Sequence, residues 1–135
     1  MPEIIEYYGK NAGKIWRTLE KNGPLTTTKI MRTTGLNKED FYTAVGWLAK
    51  ENKISFNENT YQLKPQNYND YIGQTAGKVW QVINIYDEID ARYLPRLAGV
   101  DEKDAFYAIG WLAREGKISA KKIKPKRPQT RYRIK

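Results

Sequence analysis

The chain has 135 residues, with 24 Lys and Arg against 15 Asp and Glu, a formal net charge of +9, and neither Cys nor His. That length holds one compact domain or two very small ones. The composition excludes disulfide scaffolds, thiol chemistry, thiolate or histidine metal sites and imidazole acid–base catalysis. With no run of about 18 apolar residues and no signal-peptide pattern in Met1-Pro2-Glu3, the expectation is a soluble, cytoplasmic protein.

Taken in chain order, Ala12, Ile15, Trp16 and Leu19 recur at i, i+3, i+4 and i+7, which predicts an amphipathic helix. It ends at Asn22-Gly23-Pro24, where Gly takes a left-handed cap and Pro blocks continuation. A short second helix is expected around residues 26–34, ending at Gly35. Asn37 then caps a third helix, with Asp40 at the third position and Phe41, Ala44, Val45 and Leu48 facing inward. Lys53-Ile54-Ser55-Phe56, a turn over Asn57 to Thr60, and Tyr61-Gln62-Leu63-Lys64 predict a β-hairpin.

The chain then repeats itself. A shift of 64 positions aligns residues 7–55 with 71–119 without a gap, and 18 of the 49 pairs are identical. Asp101 caps the second copy of helix three, with Ala105, Ala108, Ile109 and Leu112 inward. Pro95 falls in its second helix and should shorten it. Lys117-Ile118-Ser119 and Tyr132-Arg133-Ile134-Lys135 form its hairpin, around an enlarged turn. Two copies are too few for a solenoid; they read as two domains, residues 1–66 and 67–135, joined near Pro65 to Asn69. Three helices followed by a hairpin make a winged helix-turn-helix. The expected fold class is mainly α with small β-hairpins (α+β), as two tandem winged helix-turn-helix domains.

The strings Gly-x-x-Ala-Gly-Lys-Ile/Val-Trp and Ala-x-Gly-Trp-Leu-Ala-x-Glu-x-Lys-Ile occur in both copies (Gly9 to Trp16 with Ala44 to Ile54; Gly73 to Trp80 with Ala108 to Ile118). The chain in this respect resembles the small winged helix-turn-helix proteins of bacteria and archaea long catalogued as a domain of unknown function. The resemblance covers nearly all of residues 7–119. It implies the fold and, as an inferred role, DNA binding. Similar folds also serve as protein-interaction modules.

The location of the charge narrows the partner. Residues 1–116 hold 15 basic and 15 acidic side chains, so the whole excess sits in residues 117–135. A local basic cluster points to a polyanion, and nucleic acid is the commonest. A winged helix sends its third helix into the major groove and its wing toward phosphate or minor groove. The expected DNA surface in the first copy is Lys38, Tyr42 and Thr43 on helix three, with Thr26, Thr27, Thr28, Lys29 and Arg32 as phosphate donors. In the second copy it is the basic wing: Lys121, Lys122, Lys124, Lys126, Arg127 and Arg131. The expected role is a transcriptional regulator or chromatin-associated factor with duplex DNA as partner. The alternative is a protein-interaction module, with a partner or self-association through Glu102, Phe106, Tyr107 and Trp111.

Other motifs reduce to structure. Gly9-x-x-x-Gly13-Lys14 and its twin at 73–78 lack a residue for a phosphate loop, and Ile15 or Val79 stands where Ser or Thr would bind Mg²⁺. Trp16 and Trp80 belong to a core stripe; Trp47 and Trp111 lie beside theirs and are expected to pack, including between domains. Gly46 and Gly110 inside a helix imply close approach of another helix, with Ala12-Gly13 or Ala76-Gly77 as the partner surface. Asp40, Asp104, Glu51 and Glu115 serve helix ends. The expectation is no enzyme activity, no cofactor and no metal.

Overall fold

The computed structural model describes residues 4–57, 59–64, 69–123 and 129–135. Copy one runs α1 (Ile4–Asn22), β1 (Leu25–Thr26), α2 (Thr27–Thr34), α3 (Lys38–Lys50), β2 (Ser55–Asn57) and β3 (Thr60–Gln62). Copy two runs α4 (Asn69–Tyr86), β4 (Glu88–Asp90), α5 (Leu94–Ala98), α6 (Glu102–Arg114), β5 (Ile118–Ile123) and β6 (Gln129–Ile134). Each copy is a helical trihelix with a small antiparallel sheet, so the chain is two tandem winged helix-turn-helix units.

Local chemistry accounts for most of the elements. Tyr8, Ala12, Ile15 and Leu19 form the buried stripe of α1. The Asn37 side chain accepts the Asp40 N–H at 2.8 Å, and Asp101 accepts that of Asp104 at 2.8 Å, so both third helices start on a side-chain cap. Gly35 ends α2 at φ 75°, in the left-handed region, where its N–H reaches the Met31 carbonyl. Pro95 lies in the first turn of α5, where a missing N–H costs nothing, and that helix has five residues against eight in α2.

The wings are three-stranded sheets rather than bare hairpins. A short strand before the second helix adds to each, giving orders β1-β3-β2 and β4-β6-β5. Leu25 pairs with Tyr61, and Ile89 with Tyr132. Strands this short carry no readable period, so the pattern alone could not reveal them. The second wing is longer, with Ile118 opposite Ile134 and the ladder reaching Ile123 opposite Gln129.

The two copies pack through their third helices. A Cβ on Gly46 would sit 2.9 Å from the Tyr107 Cα and run into that residue's carbonyl oxygen. A Cβ on Gly110 would sit 2.8 Å from the Trp47 nitrogen and run into the Thr43 carbonyl. Positions 46 and 110 are equivalent, as are 43 and 107, so the contact is reciprocal about an internal pseudo-twofold. The glycines are therefore needed for close helix approach, as expected, but their partner is the other copy's third helix and not Ala12-Gly13 or Ala76-Gly77. Trp47 and Trp111 instead cover Gly9 and Gly73 on the first helix of their own copies, at 3.1 and 3.4 Å from a Cβ there.

The rim of the interface repeats the same symmetry. Lys50 pairs with Glu115 at 3.5 Å, and Arg114 with Glu51 at 3.0 Å. Lys50 also stands 4.9 Å over the Trp111 ring, and Arg114 5.8 Å over Trp47. Deeper in, the Tyr61 and Tyr107 hydroxyls meet at 2.7 Å, and those of Tyr8 and Tyr132 at 3.3 Å. Both pairs join one copy to the other and both are buried.

Candidate nucleic-acid interface

The expected recognition surface has to be redrawn around that interface. Thr43 is 2% exposed and packs under α6. It cannot meet a base edge while the copies stay together. Tyr42 is half-buried, edge-to-face with Tyr107 at 5.5 Å between ring centres. Both were expected to point outward; the physical reason they do not is that α3 is apolar on two faces, one toward its own core and one toward α6.

The surface expected for a protein partner or self-association is used up in the same way. Phe106, Tyr107 and Trp111 are 3%, 2% and 8% exposed. Every residue of α6 from Ala105 to Ala113 is buried, the mark of a helix enclosed on all sides. Only Glu102 of that set is exposed. The aromatic face is satisfied within the chain.

Lys38 remains exposed at the start of α3, but in acidic company. It lines a cleft between the copies together with Glu39, Asp40 and Glu102, a poor seat for phosphate. The Tyr7 hydroxyl donates to the Asp40 carboxylate at 2.7 Å, and Tyr71 does the same to Asp104. These contacts tie each first helix to the start of its third helix.

The second helix of copy one keeps its expected exposure. Thr26, Thr28, Lys29 and Arg32 are exposed, and Thr27 is half-buried. The Thr26 hydroxyl already accepts the Lys29 N–H at 3.3 Å as the cap of α2. Lys29 lines a shallow groove between α1 and α2 with Arg17 and Lys21.

In the second wing, Lys121 is exposed and Arg131 half-buried, and both bind Glu88, at 3.1 and 2.9 Å. Hydrogen bonds from Arg131 and Lys121 lower the Glu88 pKa, so that carboxylate stays ionised and offsets part of the wing's charge. Lys122 is in the β5 ladder opposite Thr130. Lys124, Lys126 and Arg127 lie outside the described residues. The acidic neighbour Asp90 is itself engaged. Burial pushes its pKa up, but hydrogen bonds from the Arg92 side chain and backbone lower it overall.

One cationic surface lies outside the expected set. Lys10, Lys14, Arg17 and Lys21 are exposed along α1. Their spacing of 4, 3 and 4 residues sets them on one face of the helix, opposite the buried stripe. The signal is in the sequence, but it is hidden by acids elsewhere that bring residues 1–116 to neutrality.

Comparison with known proteins agrees with this architecture. A family model described as "Winged helix-turn-helix domain (DUF2582)" matches residues 3–64 and again residues 66–127. No curated protein and no solved structure matches the chain. Among the described residues no helix is long and apolar enough to cross a membrane.

Proposed function

The chain belongs to the winged helix-turn-helix family DUF2582, and from that premise we propose that it binds duplex DNA, holding the phosphate backbone rather than reading bases with its third helices. Winged-helix domains commonly bind DNA by placing the third helix in the major groove. The observation that carries the present reading is the reciprocal packing of α3 on α6 through Gly46 and Gly110. Among the expected contact residues it leaves Thr28, Lys29 and Arg32 of copy one and Lys121 of the second wing exposed as donors.

Contacts of this kind position a protein on DNA without selecting a sequence. The reading therefore favours a chromatin-associated factor over a sequence-specific transcriptional regulator. It is a binding role, with no reaction assigned.

The test is titration of labelled duplexes of two unrelated sequences between about 50 and about 200 mM salt. The expected result is comparable affinity for both and a linear fall of log affinity with log salt. Glu88→Gln, which releases Lys121 and Arg131, should tighten binding severalfold at low salt. A preference above about tenfold for one sequence would restore base reading. No binding at low salt would end the proposal.

A further inference from the structure

We infer that the outward face of α1, with Lys29 and Arg32 of α2, is a phosphate-binding track for nucleic acid, separate from the second wing. This rests on the DNA-binding reading above and adds the outward face of α1 to it, a surface outside the helix-turn-helix pair and the wing that ordinarily make the contacts.

Four observations converge on it. Lys10, Lys14, Arg17 and Lys21 are all exposed, and none has an ion-pair partner among the described residues. At 1.5 Å per residue they span about 16 Å, which covers roughly five phosphates of one DNA strand measured along its axis. Lys29 extends the row across a groove it shares with Arg17 and Lys21, and Arg32 is one turn further along α2. Finally, the second copy supplies an internal control. At the six equivalent positions it has Gln74, Lys78, Gln81, Ile85, Tyr93 and Arg96, so only two cations. The fold accepts this face without the charge, so the charge is not a requirement of folding.

The acids nearby are Glu6, at the head of the row, and Glu20, on the neighbouring face. They reduce the local excess without interrupting the row. The chemistry favours nucleic acid over an anionic lipid surface. Membrane-surface helices flank their cations with exposed Trp, Phe or Leu. Here the aromatic beside the row, Trp47, is half-buried against Gly9 in a groove with Lys10, Lys14 and Arg17, and the outward side of α1 itself adds no large apolar side chain between Lys10 and Lys21. The second wing reaches the same helix from its core side, where Tyr132 meets Tyr8, so the track and the wing are separable by mutation.

The experiment uses the full chain with Lys10, Lys14, Arg17 and Lys21 all changed to Gln, the residue copy two has in place of Lys10 and Arg17. Binding to duplex DNA is followed across a salt series, with anionic phosphatidylserine vesicles as a second arm. A control changes Lys78, Arg96 and Lys103 to Gln. Each lost phosphate contact lowers the slope of log affinity against log salt by about 0.9, so the quadruple change should lower it by about 3 to 4. The control should lower it by less than about 1. Unchanged DNA binding by the quadruple variant, or a loss no greater per charge than in the control, overturns the track while leaving the DNA-binding reading intact. Loss of vesicle binding with DNA binding retained overturns it in favour of a membrane surface. Failure of the unmodified chain to bind DNA removes both readings together.

Discussion

In copy one, the groove between the first and second helices is lined by Arg17, Thr18, Lys21, Asn22, Leu25, Lys29 and Thr33. The residues 64 positions later are Gln81, Val82, Ile85, Tyr86, Ile89, Tyr93 and Leu97. One backbone design thus presents a cationic face in the first copy and an apolar one in the second, where Ile85 is 75% and Tyr86 53% exposed. The third helices behave in the opposite way. There Gly46 and Gly110, and the Lys50–Glu115 and Arg114–Glu51 pairs, answer each other across the interface, and Trp47 and Trp111 take matching places under Arg114 and Lys50. A contact between two copies of one motif constrains both alike, because each side is the other's partner. The outward faces have no such constraint, and the two differ in chemical character.

The largest effect comes from breaking the shared part. Gly46→Ala and Gly110→Ala each place a methyl into main-chain atoms of the facing helix, which no rotamer change relieves. Each should cost about 3 kcal/mol or more despite the gain of about 1 kcal/mol in helix propensity. The reciprocity requires the two costs to agree within about 1 kcal/mol, comparable to ordinary mutational scatter. Gly77→Ala is the control: its Cβ meets nothing within 4 Å, so it should stabilise by up to about 1 kcal/mol. Urea unfolding of the three variants decides the matter. A near-neutral Gly46→Ala would mean the copies do not dock through α3 and α6.

How much of this was readable beforehand follows from the range of the forces involved. The caps at Asn37 and Asp101, the stop at Gly35 and the stripe of α1 depend on neighbours within a turn, so the residues themselves announce them. The pairing of α3 with α6 does not. It joins residues 64 apart, and its signals, a glycine inside a helix and the unbroken apolar run from Ala105 to Ala113, say that something covers the helix without saying what. Thr43 and Tyr107 were consequently expected on an outer surface. The α1 cations were obscured for a different reason. A sum over residues 1–116 cancels Lys10, Lys14, Arg17 and Lys21 against acids that sit at helix ends and in the rim pairs, such as Asp40, Glu51 and Glu115. Charge acts locally within about 8–10 Å at ordinary salt, so the total hides what the face presents.

Raising the pH should destabilise the fold next, through the contact between the copies. Burial raises the phenol pKa of Tyr8, Tyr61, Tyr107 and Tyr132, and all four sit where one copy meets the other. In the unfolded chain a tyrosine ionises near pH 10. Above that pH the folded state keeps protons that the unfolded state has lost, so the stability these groups contribute is complete below about pH 9 and falls as pH rises. The loss is up to ~1.4 kcal/mol per pH unit for each phenol. Phenolate absorbance from the buried four should therefore grow in together with the loss of ellipticity. Ionisation of all four in a chain that stays folded would contradict their burial.

The smallest effect on stability should come from making copy two's groove resemble copy one's. Ile85→Lys with Tyr93→Lys installs the residues found at 21 and 29, at sites 75% and 47% exposed. Neither change removes a core contact, so folding stability should stay within about 0.5 kcal/mol per substitution. Its value lies in the binding assay. If the cations of α1 and α2 act as phosphate contacts because of where this fold holds them, the second copy presents the same geometry, lacking only the charge. The double variant should then steepen the salt dependence by up to about 1.8, or 0.9 for each new contact. If the slope does not move, a fixed position beside a helix groove is not sufficient, and the first copy's face must owe its affinity to the unbroken row from Lys10 to Lys21 rather than to the groove cations taken singly.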